Sequence, residues 1–488
     1  MKSKKNNKQG KHRKKKTVTF PRIKLEQSEK IDLTANGGLL ALTELIKRLG
    51  LIEKFESLPI FQRQRIGEVA HLLTLILNQF TGGDALSDTV NVARDEALKK
   101  LFGVIHIPAP HTSGKFLERF DDELLEKLRQ IIWEIQETYI FPQLAKKLGR
   151  RLKISMDSSV YEVTGDKKEK TAYSFKRVFG YDPLMLHIHD TGEMLDLTLR
   201  GGDAFTAQGA AEMLDRNLSR LKPFFDKITF LGDAGFFDQR IVSVCNKHDI
   251  KFIITSEQNS SIMRSVESPE NQWHTPKTPQ QVEAKKTRTR RGVNYRLESL
   301  RKNLKKKHKQ LKKRGKLEIT SFHHTVASWK ETYRFVFKRY EIEVEDLTGQ
   351  CSMFESEPQY FYHGYITNIE DERSEVVITS IDGRGNEENY IKDFKHGLGT
   401  AHIPCEDFHA NYAYFMISMC SWNLKSWLLL LGTDAPPMQW KRFRYLFVKV
   451  AVQIVCKGRE LIVRFGKSFH RFREFCQIME RLRSFQFT

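Results

Sequence analysis

Cysteine is scarce and scattered in this chain of 488 residues: Cys245, Cys351, Cys405, Cys420, Cys456 and Cys476 are the only six. No two form a Cys-x2-Cys pair, which excludes zinc-ligand spacing and a disulfide framework and fits a reducing compartment. No Walker A, Gly-x-Ser-x-Gly or Gly-x-Gly-x-x-Gly signature stands at a strand–helix turn, which argues against nucleotide-binding and serine-hydrolase chemistry. The N-terminus is basic with no apolar core behind it, so it does not read as a secretory signal. One apolar run, Tyr412 to Leu431, has about membrane length, but Asn423 and Lys425 interrupt it and a buried helix is the better reading. A soluble, cytoplasmic protein without membrane contact is expected.

What the chain does have is positive charge, and in two places. The formal net charge is +21. Residues 1–16 carry nine Lys or Arg and no acid, and residues 285–316 carry sixteen against Glu298 alone. Those two blocks exceed the whole surplus, so the rest of the chain is close to neutral. Concentrated cations attract polyanions by counterion release, which makes nucleic acid the first candidate partner and an anionic membrane surface the second. A solvated tail or helix is the bland alternative for either block alone.

The apolar pattern divides the rest. Residues 1–16 are too polar to fold and read as a disordered basic arm. Residues 17–149 read as all-helical, with Leu39, Leu42, Leu45 and Ile46, then Val69 to Ile76, then Phe116 to Ile131 at helical spacing. From Arg150 the texture changes. Strands are expected at 152–156, 184–189, 194–199, 228–231 and 252–255, with helices at about 207–221 and 238–248. That order matches a ribonuclease H-like α/β fold, in which the first and fourth strands are central neighbours. The core is expected over 150–258 and 358–432. Residues 259–357 read as a β-rich basic insertion, partly an amphipathic helix around 296–311, and Tyr360–Thr367 either closes it or joins the main sheet. Residues 433–488 read as a basic, helical C-terminal region.

Two acids stand where this topology brings chain ends together. Asp157 lies at the end of the first core strand and Asp233 at the end of the fourth, in Leu231-Gly-Asp-Ala-Gly-Phe236. An Asp leaving a strand is often only a cap; two on adjacent strands favour metal binding. A third acid is expected from the helix that starts near Gly385. There Arg384, Glu388, Lys392 and Lys395 step by four, four and three and share one face. Glu387 competes with Glu388, since adjacent helix positions point about 100° apart; Asp382 and Asp393 are weaker rivals. His187 and His189, two apart on one strand face, have no Cys or third His nearby and read as core or surface residues. His323 and His324, adjacent on a strand, point to opposite faces and make a poor ligand pair. Carboxylates on rigid elements suit Mg²⁺, which prefers oxygen donors, and a pair of such ions can activate a nucleophile and stabilise a leaving oxygen in phosphoryl transfer.

The segment Ile381 to Lys395 carries a further signal. Arg384, Glu388 and Lys395 match the Tyr-x2-Arg-x3-Glu-x6-Lys signature of bacterial insertion-sequence DDE transposases, with Ile381 at the tyrosine position. Gly180-Tyr-Asp-Pro-Leu184, Leu199-Arg-Gly-Gly-Asp203, Lys395-His-Gly-Leu-Gly399, Gly82-Gly-Asp-Ala-Leu86 and Thr112–Phe120 also resemble that family, in its transposase DDE domain group 1 branch, over roughly residues 30–470. The resemblance implies a ribonuclease H-like catalytic core behind a helical DNA-binding region. It implies Asp157, Asp233 and Glu388 as catalytic metal ligands for two Mg²⁺ or Mn²⁺ ions, with Arg384, Lys392 and Lys395 toward phosphate. The partners it implies are double-stranded DNA, as terminal inverted repeats and as target, and a second subunit in a nucleoid-associated homodimer. A related nuclease without strand transfer, and an inactive DNA-binding relative, are the alternatives.

Overall fold

The computed structural model describes residues 32–60, 67–103, 106–276, 317–326, 328–342, 359–382, 385–457 and 460–485. Both basic blocks, the helix expected at 296–311 and Arg384 lie outside them.

The first core strand is β2 (Arg151–Ser158), after a short β1 (Asp32–Thr34). Three short strands or strand pieces follow: β3 (Tyr161–Glu162), β4 (Ala172–Tyr173) and β5 (Phe179–Tyr181). Then come β6 (Leu184–Ile188), β7 (Met194–Thr198), β8 (Lys227–Gly232) and β9 (Lys251–Thr255). The later strands are β10 (Leu317–Thr325), β11 (Thr332–Ile342), β12 (Gln359–Thr367), β13 (Val452–Lys457) and β14 (Glu460–Phe465). Eight of them form one sheet in the order β10-β11-β12-β9-β8-β2-β6-β7. β2, β8 and β9 run parallel, and β6, β7 and β12 run antiparallel to their neighbours. Counted along the core, the five strands from β7 to β9 stand in the order third, second, first, fourth, fifth. That is the ribonuclease H-like arrangement the element order implied.

The sheet is buried on both sides. Leu152, Ile154 and Met156 alternate toward one face, joined by Leu186 and Phe230. Helix Ala210–Leu221 covers that face from β6 and β7. On the other face Leu231, Ile253, Tyr365, Val336 and Ile319 form a stripe crossing five strands, and Val377, Ile378 and Ile381 of helix Ser374–Asp382 pack on it. The long helix Phe408–Gly432 runs against β7, where Asn423 meets both backbone groups of Met194 and Tyr412 donates to the Leu197 carbonyl. Gln79 of helix Glu68–Thr81 reaches Ser418 on the same long helix, so the N-terminal helices share its core.

Several expectations change. The C-terminal region is not helical throughout: β13 and β14 pair there before helix Phe472–Ser484. The N-terminal region is not all-helical either, since β1 pairs with β13. Val452-Gln-Ile-Val455 and Leu461-Ile-Val463 are short, β-branched and alternating, and a few basic neighbours hid that period. In the segment read as an insertion, β10 and β11 extend the main sheet, and β12 joins it beside β9. β11 is paired on both sides along most of its length, β12 reaches β9 through Tyr365–Thr367, and β10 forms the edge of the sheet.

Candidate functional site

Register sets the first two acids. Ser155 of β2 lies opposite Leu231 of β8 in the parallel ladder. Two residues further on, at the C-terminal ends of both strands, come Asp157 and Asp233. Side chains two apart on a strand share a face, so both acids belong to the face covered by helix Ser374–Asp382. Asp157 pairs with Met185 across β6. Asp233 also caps the turn after β8: its Oδ1 accepts from Gly235 N at 2.9 Å. The capping role and the edge position coexist.

The two motifs after β5 and β7 brace this edge. Asp182, in Gly180-Tyr-Asp-Pro-Leu184, accepts from Ser158 Oγ at 3.0 Å and from Arg200 Nη2 at 3.0 Å. Arg200, in Leu199-Arg-Gly-Gly-Asp203, also donates to the carbonyls of Phe205, Thr206 and Gln208. Burial raises the Asp182 pKa, and the Arg200 charge opposes it. One buried ion pair therefore ties the residue beside Asp157 to the loop that rests on the Asp233 turn. The sequence displayed both motifs but not their mutual contact.

The third-acid segment packs over the same face. Helix Gly385–Lys392 continues into a wider turn, Asp393–Gly397. Tyr390 lies 6.1 Å from the His187 ring, which belongs to the Asp157 face, and Lys395 Nζ donates to the Val160 carbonyl and sits 4.6 Å over the Tyr161 ring. The helix thus runs along the sheet toward the end that bears Asp157. Of the two adjacent glutamates, Glu387 points inward, buried, with Oε1 3.5 Å from Nδ1 of buried His189. Glu388 is exposed, as is Lys392. Burial lowers the Lys395 pKa. Its amine engages the framework at the end of β2. Arg384 is outside the described residues.

A cleft of about 380 Å³ opens on the other flank of Asp233, lined also by Gly235, Thr255, His363, Tyr365 and Asp382. Asp382, which the spacing argument ranked low, ends helix Ser374–Asp382 there. Its Oδ1 accepts from Lys338 Nζ at 3.0 Å and Tyr365 Oη at 3.3 Å. Burial, then the Asp382 charge, pushes the Tyr365 hydroxyl well above its ordinary pKa. No sequence signal linked these residues, because Lys338 and Tyr365 come from strands outside the core motif. Among the described residues, no three His, Cys, Asp or Glu side chains are grouped closely enough to hold a metal ion. Asp157 and Asp233 nevertheless offer carboxylates of the chemistry a hard divalent cation takes.

The two histidine pairs have different surroundings. His187 is fully buried with neither ring nitrogen hydrogen-bonded, and burial lowers its pKa to about 4. His323 meets Glu370 while His324 meets Ser265, on opposite faces of β10. Among the described residues no helix is long and apolar enough to cross a membrane.

A family model described as transposase DDE domain group 1 matches residues 17–487. No curated protein matches the chain. Among solved structures, the piggyBac transposase synaptic complex with hairpin DNA, determined by cryo-electron microscopy, is similar at 10% identity and a TM-score of 0.40. That match covers 84% of this chain and 79% of that one.

Proposed function

Since the chain belongs to the transposase DDE domain group 1 family, we propose that it binds the terminal inverted repeats of its own element and catalyses DNA cleavage and strand transfer at the Asp157–Asp233 edge. The observation that carries this reading is the register of β2 and β8, which leaves both acids on one face at neighbouring strand ends. Members of this family use divalent metal ions; two Mg²⁺, or Mn²⁺, bound here would activate water and then the released 3′-hydroxyl and stabilise the leaving oxygen. Asp157 and Asp233 supply rigid oxygen donors. Glu388 is the third acid on this reading because it holds the glutamate position of the signature; it is exposed at the start of its helix, whose Lys395 end is the one that meets the end of β2. Lys395 fixes that helix to the end of β2, while Arg384 and Lys392 are the cations left to meet phosphate. The N-terminal helices would read the repeats, the basic blocks would hold DNA, and two subunits would pair two ends.

A second reading of the third acid has its own support: Asp382 lines the same cleft as Asp233. The two are separable. Purified protein is incubated with DNA from the borders of its gene, Mg²⁺ or Mn²⁺ and a target plasmid. Joined products support transposition; cuts without joining favour a nuclease. Loss of both in Glu388→Gln with retention in Asp382→Asn assigns Glu388, and the reverse assigns Asp382. Full activity of Asp233→Ala would overturn the metal mechanism altogether.

A further inference from the structure

Three aromatic side chains project into solvent beside the Asp157–Asp233 edge. Phe175 is 85% exposed, Tyr173 69% and Phe205 57%. Two elements carry them, and both are anchored at the edge. The β4–β5 hairpin leads into Asp182, whose carboxylate holds Ser158, the neighbour of Asp157. The hairpin also packs on the loop after β7 so tightly that a Cβ on Gly202 would lie 2.3 Å from the Ala172 carbonyl oxygen. The loop carrying Phe205 touches the Asp233 turn, where a Cβ on Gly235 would lie 2.6 Å from Thr206.

The hairpin tip is a constructed turn. Ser174 N donates to the Val178 carbonyl at 2.9 Å, Arg177 N to the Ser174 carbonyl at 2.8 Å, and Val178 N to Ser174 Oγ at 3.2 Å. Arg177 closes the loop at φ +59, a conformation that three-residue hairpin loops ordinarily give to glycine. The chain places a cation there instead. Lys176 lies over the Phe175 ring at 5.3 Å, and Arg240, itself held by Asp238, lies over Phe205 at 5.9 Å. Residues 172–181 contain no acid.

Single exposed rings on rigid tips, interleaved with cations, suit one chemistry: the face of an unpaired base with its phosphate alongside. A protein partner would instead call for a contiguous apolar patch. In a closed duplex the base faces are stacked and out of reach. We infer that the β4–β5 tip and the loop at Phe205 form a stacking platform for unpaired bases of the DNA strand that enters the Asp157–Asp233 edge. The inference rests on the transposase reading and specifies which state of the DNA end that site prefers.

The test compares a blunt duplex from the border of the gene with the same duplex bearing a short overhang that contains 2-aminopurine. Anisotropy reports binding, and fluorescence quenching reports stacking. Wild-type protein is expected to bind the overhang about tenfold more tightly than the blunt end, within the range for loss of one base–aromatic stack, and to quench the probe. Phe175→Ala with Phe205→Ala should remove both the preference and the quench, and Phe175→Trp should keep them. The substituted rings are exposed, so folding should survive, which thermal melting checks. If the double variant keeps the full preference and quench while wild-type protein cuts the same DNA, the platform is overturned and the transposase reading stands. If wild-type protein binds neither DNA, both are overturned.

Discussion

Asp196 and Asp233 are carboxylates of the same sheet with opposite surroundings. Asp196, in the middle of β7, is wholly buried. Its Oδ1 accepts from Leu197 N at 2.8 Å and Arg129 Nε at 3.2 Å, and its Oδ2 from Arg216 Nε at 2.7 Å and Asn217 Nδ2 at 2.9 Å. Protein donors occupy both oxygens and link an N-terminal helix, the sheet and the helix after β7. Such an acid is a structural pin, because nothing else can reach it. Asp233 stands at a strand end, uses one oxygen in its own turn and lines an open cleft. An acid at the mouth of a parallel sheet is placed for a ligand; an acid saturated by arginines inside it is placed for the fold.

Substitution should separate the two most sharply. Asp233→Ala, and likewise Asp157→Ala, should lower DNA cleavage on the order of a thousandfold, as removing a preorganised electrostatic group does, while stability falls by no more than about 1 kcal/mol, the loss of a cap. Asp196→Ala should do the opposite. Removing Asp196 from its buried pair with Arg129, which keeps Glu126 and Tyr412, and leaving Arg216 and Asn217 without it should cost about 3 kcal/mol in chemical denaturation, while the remaining folded protein keeps its activity. A large loss of stability in Asp233→Ala would erase the distinction.

Protonation sharpens it further. His187, buried on the Asp157 face, is held neutral to about pH 4 against an ordinary value of 6.5. The unfolded chain therefore binds more protons between those values. The contribution of His187 is full above about pH 6.5 and is lost as pH falls toward 4. Glu193 works in the other direction: burial raises its pKa from 4.5 to about 7, so its contribution is full below 4.5 and is lost as pH rises through 7. His187→Phe should flatten the acid limb of stability against pH by about 1–3 kcal/mol, read from urea midpoints across pH 4–6.5. The smallest effect belongs to an acid that only caps a helix. Asp121 Oδ1 accepts from Leu124 N at 2.9 Å, and Asp121→Ala should cost about 1 kcal/mol, measured by thermal melting, without a change in cleavage.

The core strands were legible because each is short, apolar and bounded by a turn or a polar residue, and their order along the chain selects few topologies. Asp157 and Asp233 could be read as a pair on that basis alone. The β13–β14 hairpin was not legible: only β13 buries apolar residues, Val452 and Ile454, and the basic residues around the short strands hid their period. Nor could spacing decide how the 385–397 segment rotates. Glu387 and Glu388 are neighbours, and packing of Tyr390, Ile391 and Phe394 turned Glu387 inward. Asp382 gained its place from Lys338 and Tyr365, which no local pattern connects to it.

Local chemistry written along the chain determined the strand periods, the acids at their ends, the basic blocks and the match of Arg384, Glu388 and Lys395 to a known signature. Tertiary structure alone decided which adjacent glutamate is buried, which aspartates are saturated by arginine, and which rings stay in solvent beside the edge. Periodicity says which residues share a face of one element, but contacts between elements depend on register and rotation fixed by packing across the whole core.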